Sequence, residues 1–361
     1  MPKLAIRSNI RPTTESYPLP LQAKLVSRLV HSCLASVIVV AGAACSTNPA
    51  DDDPPPTIAP ASAAVSPPVT APPDGLVIPL AKPALSSMFD GAEAALVVLS
   101  GGAGAATTLT TFPANGPARS IELPTAATAM TGDGAGTGYL ATRGGYLRFD
   151  VARGAIERID VAGEEDTDFT AIARRTDGRI VLGGADGAVY TLGTDNAVSA
   201  RLKNFARVDA LVAQGDTVVV LDRSQTSVTT VDADGIKPQH ALRAGEGATT
   251  MAVDDGGRVL VADTRGGHLL VFGSDPLMLR QRYPVRGAPY GLVGSPALAW
   301  VSETATNSVV GYDLATGIPV EKVRYRTVQQ PNSLAYDDET DTLYVVSGSG
   351  AGVQVITGAA P

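Results

Sequence analysis

The feature that most constrains this chain is an apolar run that recurs about every forty residues. The last copy, TLYVVS, ends at Ser347, and similar runs end at Ser100, Thr142, Gly183, Asp222, Asp263 and Glu303, so neighbouring copies are 39 to 44 residues apart. A weaker apolar run precedes most copies and a third run follows, with Gly, Asp or Asn in the turns. A repeat of this length predicts a repetitive architecture and not a conventional layered domain.

The copies carry strand signals and no helical ones. None contains ten or more residues with a 3.6-residue period, and the gaps between runs are too short for crossover helices. The second run of each copy is apolar on both faces, as expected for a strand packed between neighbouring blades. The sequence therefore predicts an all-β fold, a seven-bladed β-propeller over residues 76–361, with Trp300 in its core.

The two ends of the repeat region are expected to meet. The seventh copy supplies only three strands, whereas LVIPLAK at residues 76–82 stands before the first copy without a partner of its own. Pairing these segments would complete the last blade and remove an exposed sheet edge. We therefore predict that an N-terminal strand closes the last blade.

The N-terminal region has the pattern of an exported lipoprotein. Residues 1–44 combine five Lys or Arg with a single Glu and end in an uncharged apolar stretch too short to span a bilayer comfortably, which predicts a signal peptide. The run Ala41-Gly42-Ala43-Ala44-Cys45 resembles the bacterial lipobox, which implies a lipid on Cys45. The alternative is an ordinary signal peptide with an incidental Cys. Residues 45–75 are rich in Pro and small residues, which predicts a disordered tether.

The charge limits the partners of the predicted propeller. The chain has 28 basic and 36 acidic residues, a net charge of −8, and loss of the basic N-terminal 44 residues makes the remainder more acidic. Nucleic acid and anionic lipid are therefore poor partners. We expect a monomer attached to the extracytoplasmic face of the cell membrane only through the lipid on Cys45.

The sequence contains no catalytic motif. His240 and His268 are the only histidines beyond the predicted signal, and neither has a second metal ligand at a suitable spacing. Neither a nucleophile elbow nor a zinc-protease helix motif occurs. The glycine-rich run 101–104 leads into β-branched residues, which favours a turn over a dinucleotide-binding loop. We predict no catalytic residue, no metal and no cofactor.

Three acids end the second run in successive copies. Asp222, Asp263 and Glu303 would lie on one face of a propeller. They could cap turns through their own side chains or hold a cation. Capping is favoured, because an oxygen-rich cation site needs about six or more ligands.

Binding is expected on the face where the connection into each first strand and the turn after each second strand meet. Binding residues are commonly placed on loops held by a rigid scaffold. We predict that a small polar ligand or a protein segment binds there, with arginines as anion contacts and a tyrosine as an apolar contact. A solvated ion-pair network is the alternative role for the arginines. The predicted site comprises Arg143, Arg223, Arg265, Tyr290, Gln330, Asn332, Asp168 and Asp209.

Two segments carry a family resemblance. NSVVGYDLATGIPVEKVRY and QQPNSLAYDDETDTLYVVSGSGAGVQVI are similar to YVTN-type propeller repeats, and the whole chain, including FTAIARRTDG and RAGEGATTMA, resembles the LppL-type lipoproteins of mycobacteria and relatives. The resemblance implies a surface lipoprotein, and propellers of this type serve as binding proteins, scaffolds or lactonases. Our leading hypothesis is a non-catalytic binding propeller of the cell envelope. The alternatives are a lactonase-like hydrolase and an envelope assembly scaffold.

Overall fold

The computed structural model describes residues 56–101 and 106–361, which contain 28 β-strands and no α-helix. The strands form seven four-stranded antiparallel sheets, so the prediction of a seven-bladed β-propeller is confirmed. The predicted signal peptide, Cys45 and most of the glycine-rich run at 101–104 lie outside the described residues. Among the residues that the structure describes, no helix has the length and apolarity that a membrane span requires.

The blades follow one another in chain order. Blade 1 contains β2 (Ala84–Asp90), β3 (Ala95–Ser100), β4 (Thr108–Pro113) and β5 (Arg119–Glu122). Blade 2 contains β6 (Ala127–Gly132), β7 (Thr137–Thr142), β8 (Gly145–Asp150) and β9 (Ile156–Asp160). Blade 3 contains β10 (Phe169–Arg174), β11 (Ile180–Gly184), β12 (Ala188–Leu192) and β13 (Val198–Lys203). Blade 4 contains β14 (Ala210–Gln214), β15 (Thr217–Asp222), β16 (Ser227–Val231) and β17 (Pro238–Arg243).

The remaining blades have the same plan. Blade 5 contains β18 (Ala248–Val253), β19 (Arg258–Asp263), β20 (His268–Ser274) and β21 (Leu277–Pro284). Blade 6 contains β22 (Pro289–Gly294), β23 (Ala299–Glu303), β24 (Ser308–Asp313) and β25 (Val320–Arg326). Blade 7 contains β26 (Pro331–Asp337), β27 (Thr342–Ser347) and β28 (Val353–Thr357), with β1 (Leu76–Ile78) as its outer strand.

The ring is closed by the N-terminal strand, as predicted. Leu76, Val77 and Ile78 of β1 pair antiparallel with Val355, Gln354 and Val353 of β28. The first strand of each blade contacts the first strand of the next, and β26 contacts β2, so these seven inner strands surround the central channel. Gly75 has a φ of +76°, and a Cβ there would lie 2.2 Å from the carbonyl oxygen of Val355, so the chain can join β1 only through a glycine.

The propeller has one apolar core per blade interface. Seven clusters of buried side chains are present, and each combines residues from two neighbouring blades, including the pair formed by blades 7 and 1. The second strands are buried along nearly their whole length, which explains their continuous apolar character. Trp300 is fully buried between blades 6 and 7, where its ring stacks on Tyr325 and Tyr336.

A β-bulge stands at the start of the inner strand in every blade except blade 4. The extra residue leaves the ladder. In blades 2 and 3 it is a threonine, Thr128 or Thr170, whose hydroxyl donates to a carbonyl of the chain that enters the next blade. In blade 2, for example, the hydroxyl of Thr128 donates to the carbonyl of Phe169 in blade 3 over 2.7 Å. The bulges of blades 2 and 3 thus link each of these blades to the next at the same end of the channel.

The Pro-rich segment differs from its prediction. The sequence predicts a disordered tether over residues 45–75, and the structure corrects this for residues 56–75, which lie against the propeller; residues 45–55 are outside the described part. We call residues 56–74 the strap. It has no strand or helix, but Ala61 and Ser66 are buried, and its other end is held by Asp74, whose carboxylate accepts hydrogen bonds from Arg326. Composition predicted disorder because the strap has too little apolar surface to fold alone.

Candidate functional site

The candidate site is the upper face, defined as the face that carries the start of each inner strand and the turn between the second and third strands. Backbone hydrogen bonds hold these two kinds of loop together, as between Ala185 and Asp168 (2.9 Å) and between Ala305 and Gly287 (3.0 Å). A rigid scaffold therefore fixes the loops that the sequence selected. We call the loops of this face the rim.

Arg223 and Arg265 are brought together on the rim by blades 4 and 5. Both guanidinium groups donate to the strap, Arg265 to the carbonyl of Ala59 (2.7 Å) and Arg223 to the carbonyl of Ala61. Arg265 also donates to the carbonyl of Glu246 over 3.2 Å. The predicted anion contacts are therefore engaged with neutral carbonyl oxygens of the chain itself.

Gln330 and Asn332 lie at the start of the inner strand of blade 7, on the same side of the rim. The side-chain amide of Gln330 donates to the carbonyl of Ala64 and to Asn332 Oδ1, both over 2.9 Å. Gln330 has a φ of +58°, a conformation that costs a residue with a side chain free energy and is concentrated at functional sites. This backbone geometry directs the amide N–H of Gln330 at the hydroxyl of Ser66, 3.0 Å away.

Arg143 and Asp168 form a separate group on the part of the rim built by blades 2 and 3. Arg143 donates to Asp166 (2.9 Å) and Asp168 (3.0 Å), and all three side chains are exposed. These hydrogen bonds, with Asp166 the larger contributor, raise the pKa of Arg143. The structure thus realises the alternative role of a solvated ion pair for this arginine. Its side chain is exposed to solvent.

Asp209 and Tyr290 have mainly structural surroundings. The Asp209 carboxylate is nearly buried, accepts the backbone N–H of Arg223 over 2.8 Å and pairs with Arg207 at 3.2 Å. Burial raises the pKa of Asp209, and the hydrogen bond from Arg223 opposes that shift. The carbonyl of Tyr290 accepts the Thr250 hydroxyl of blade 5, which fixes its loop.

Two of the three acids that end the second strands cap turns, as the sequence favoured. Asp222 accepts backbone N–H groups of Ala206 and Gln225, at 2.7 and 2.9 Å. Asp263 accepts N–H groups from residues 246, 247 and 266. Glu303 differs, because it pairs with Arg324 at 2.5 Å and accepts the Ser308 hydroxyl. Among residues 56–101 and 106–361, no three His, Cys, Asp or Glu side chains are grouped as a metal site.

The inner strands bring few reactive groups to the channel. Their carboxylates are Asp90 and Asp337, and both lie at the lower ends of their strands and cap turns, Asp90 through the N–H groups of Glu93 and Gly136. His240 is on the outer strand β17, and His268 is at the start of the third strand β20, 3.6 Å from Asp263. Neither histidine belongs to an inner strand.

Sequence reasoning missed three residues of this site. Ser66 and Ala61 lie in a segment whose composition predicted disorder, and Asn307 lies in an ordinary-looking turn. Asn307 has a φ of +50°, and its side-chain amide donates to the carbonyl of Pro67 over 2.8 Å. The Thr-Asn turn was the only signal available, since Asn adopts left-handed conformations more readily than most residues.

Comparisons with known proteins identify the fold alone. No protein-family model matches the sequence, and no curated protein matches it significantly. A streptogramin B lyase structure has a TM-score of 0.64 at 10% identity and covers 79% of this chain and 97% of its own. The mitotic checkpoint complex gives 0.66 at 11% identity, covering 82% and 99%. A catalytically inactive histidine-to-alanine variant of virginiamycin B lyase from Staphylococcus aureus with quinupristin gives 0.64 at 11% identity, covering 79% and 98%.

Proposed function

We propose that this chain is a lipid-anchored, non-catalytic binding propeller of the cell envelope, attached through Cys45 and binding its partner on the rim. One observation carries the choice of surface: rim side chains already hold an extended segment of polypeptide by its carbonyl groups. Arg223, Arg265 and Gln330, three of the residues chosen from sequence, take part in that contact. The rim is therefore chemically equipped to recognise a peptide backbone.

The anchor, if attached at Cys45, gives the rim an orientation. Position 56, where the described strap begins, is eleven residue steps from Cys45, with ten residues between them. A chain of that length spans about 40 Å at most. The proposal thus places the upper face within that distance of the bilayer, where it meets other envelope proteins or their membrane-proximal segments.

The hydrolase alternative has less support from the channel. The carboxylates of the inner strands are engaged in turns at the lower end, and the described histidines are on third and outer strands. The likeness to two lyases at 10 and 11% identity concerns the fold alone. A scaffold role would use the same rim and differs from simple binding only in the number of partners.

Site-directed photocrosslinking in intact cells tests the proposed surface. A photoreactive residue at Ala305, exposed in the blade 6 turn of the rim, should form a specific adduct with an envelope component. The same residue at Glu339, exposed in the lower-face turn of blade 7, is the matched control. Adducts formed equally at both positions, or only at Glu339, would show that the rim is not the binding face.

A further inference from the structure

The strap is bound in the way a peptide ligand is bound. Five of its carbonyl groups accept hydrogen bonds from rim side chains: those of Ala59, Ala61, Ala64, Ser66 and Pro67. The donors are two arginines, two glutamines and one asparagine. Within residues 56–73 the strap makes no backbone hydrogen bond to itself. An extended Pro-rich chain leaves its carbonyls free, so it presents the acceptors that this set of donors requires.

Ser66 is the anchor of this contact. It is only 4% exposed. Its hydroxyl donates to the carbonyl of Thr304 (2.6 Å) and accepts the N–H of Gln330 (3.0 Å), while its own N–H donates to Gln330 Oε1 (3.0 Å). Every polar group of this serine is thus paired, its carbonyl with Gln329. The rim has a pocket that fits a serine in an extended chain.

A second position of the strap requires a small side chain. Ala61 is 7% exposed and packs beside Gly247, where an added Cβ would lie 2.9 Å from the Cβ of Ala61. Between these positions Ser62 and Val65 are exposed, Val65 at 90%, whereas Ala63 and Ala64 are half-buried. The contact therefore selects a small residue at position 61 and a serine five positions later, and it engages the rest of the strap through backbone carbonyls.

We propose that the rim is a binding site for extended, proline-flanked peptide segments of other chains, and that the strap is its internal competitor. The inference rests on the proposed function and names the ligand class for the same surface. The partner segment would present a small residue five positions before a serine, in place of Ala61 and Ser66. It would use the same carbonyl-directed donors.

The strap also sets the affinity that a partner needs. It is covalently joined to the propeller at β1, and such tethering corresponds to an effective concentration on the order of millimolar. A separate peptide with the same contacts cannot displace it at lower concentration. A successful partner must add contacts, and the exposed Arg143 on the part of the rim built by blades 2 and 3 offers them.

Peptide binding in trans tests the proposal. Residues 57–70 are replaced by a Gly-Ser linker of equal length, which leaves β1 and Asp74 in place, and folding is checked by thermal melting. A labelled peptide with the sequence TIAPASAAVSPPVT is titrated against this variant and against the unaltered chain, with binding followed by fluorescence anisotropy. We expect saturable binding to the linker variant and at least tenfold weaker binding to the unaltered chain.

Two changes establish that the peptide occupies the site of the strap. Alanine at the peptide position of Ser66, or Gln330→Ala in the linker variant, should weaken binding at least tenfold, whereas alanine at the position of Ser62, which is exposed, should not. A protease site at residues 68–71 provides a second route, because the cut strap can then exchange with labelled peptide. If the peptide binds neither the linker variant nor the chain cut at residues 68–71, this inference is wrong. Crosslinking at Ala305 still tests the proposed function independently.

Discussion

The sharpest consequence of the structure concerns one hydroxyl group. Ser66→Ala removes the donor to the carbonyl of Thr304 and one acceptor for the N–H of Gln330, while leaving the size of the residue almost unchanged. Leaving a buried polar group without its partner costs about 1–3 kcal/mol. The N–H of Gln330 keeps Asn307 Oδ1 at 3.3 Å, so its loss is partly offset.

We therefore expect the strap to dock about 2 kcal/mol less favourably, which raises the population of its released state about 30-fold. The unfolding of the propeller should change little, because none of the seven blade cores contains Ser66. Hydrogen exchange measured by mass spectrometry should be about 30-fold faster at the two strap amides that donate hydrogen bonds when docked, those of Ile58 and Ser66, and unchanged in the second strands.

Ser62→Ala is the matched control. Ser62 is in the same segment, four residues earlier, and is exposed. In Ser62→Ala, hydrogen exchange of the strap should equal that of the unaltered chain. Unchanged exchange of the strap in Ser66→Ala, or equal acceleration in both variants, would refute the assignment of Ser66 as the anchor.

Three further predictions follow from other contacts. An N-terminal deletion that ends at residue 82 removes the pairing of β1 with β28 and the buried Leu80. In thermal melting curves it should lower Tm by at least about 5 °C. A control deletion that ends at residue 73 keeps β1 and should lower Tm by less than half as much. The hydrogen bond from Arg326 lowers the pKa of Asp74, so the contribution of this carboxylate is present above the ordinary value of 3.8 and is lost as pH falls through the lower folded-state value. Asp74→Asn should therefore cost under about 1 kcal/mol at pH 7, and denaturant titrations at successively lower pH should show this cost shrinking as the carboxylate becomes protonated. Cys45→Ala should release the protein from the membrane fraction, and retention equal to that of the unaltered chain would contradict lipidation.

The repeat in the sequence by itself determines the architecture. Seven apolar second runs predicted seven buried second strands, because a strand packed on both sides must be apolar throughout. The three-stranded last copy predicted the pairing of β1 with β28, because an open sheet edge is unfavourable. The capping role of Asp222 and Asp263 was also favoured correctly, since a carboxylate at a strand end satisfies nearby N–H groups.

The tertiary structure decided what the rim contains. Sequence reasoning placed Arg223 and Arg265 on one face, but only the ring brings them beside a segment more than 150 positions earlier in the chain. Local composition could not show that the strap is ordered, because its order comes from donors on blades 4 to 7 and not from its own side chains. A segment that cannot bury enough surface alone can still be held where a folded surface supplies hydrogen bonds to its carbonyls.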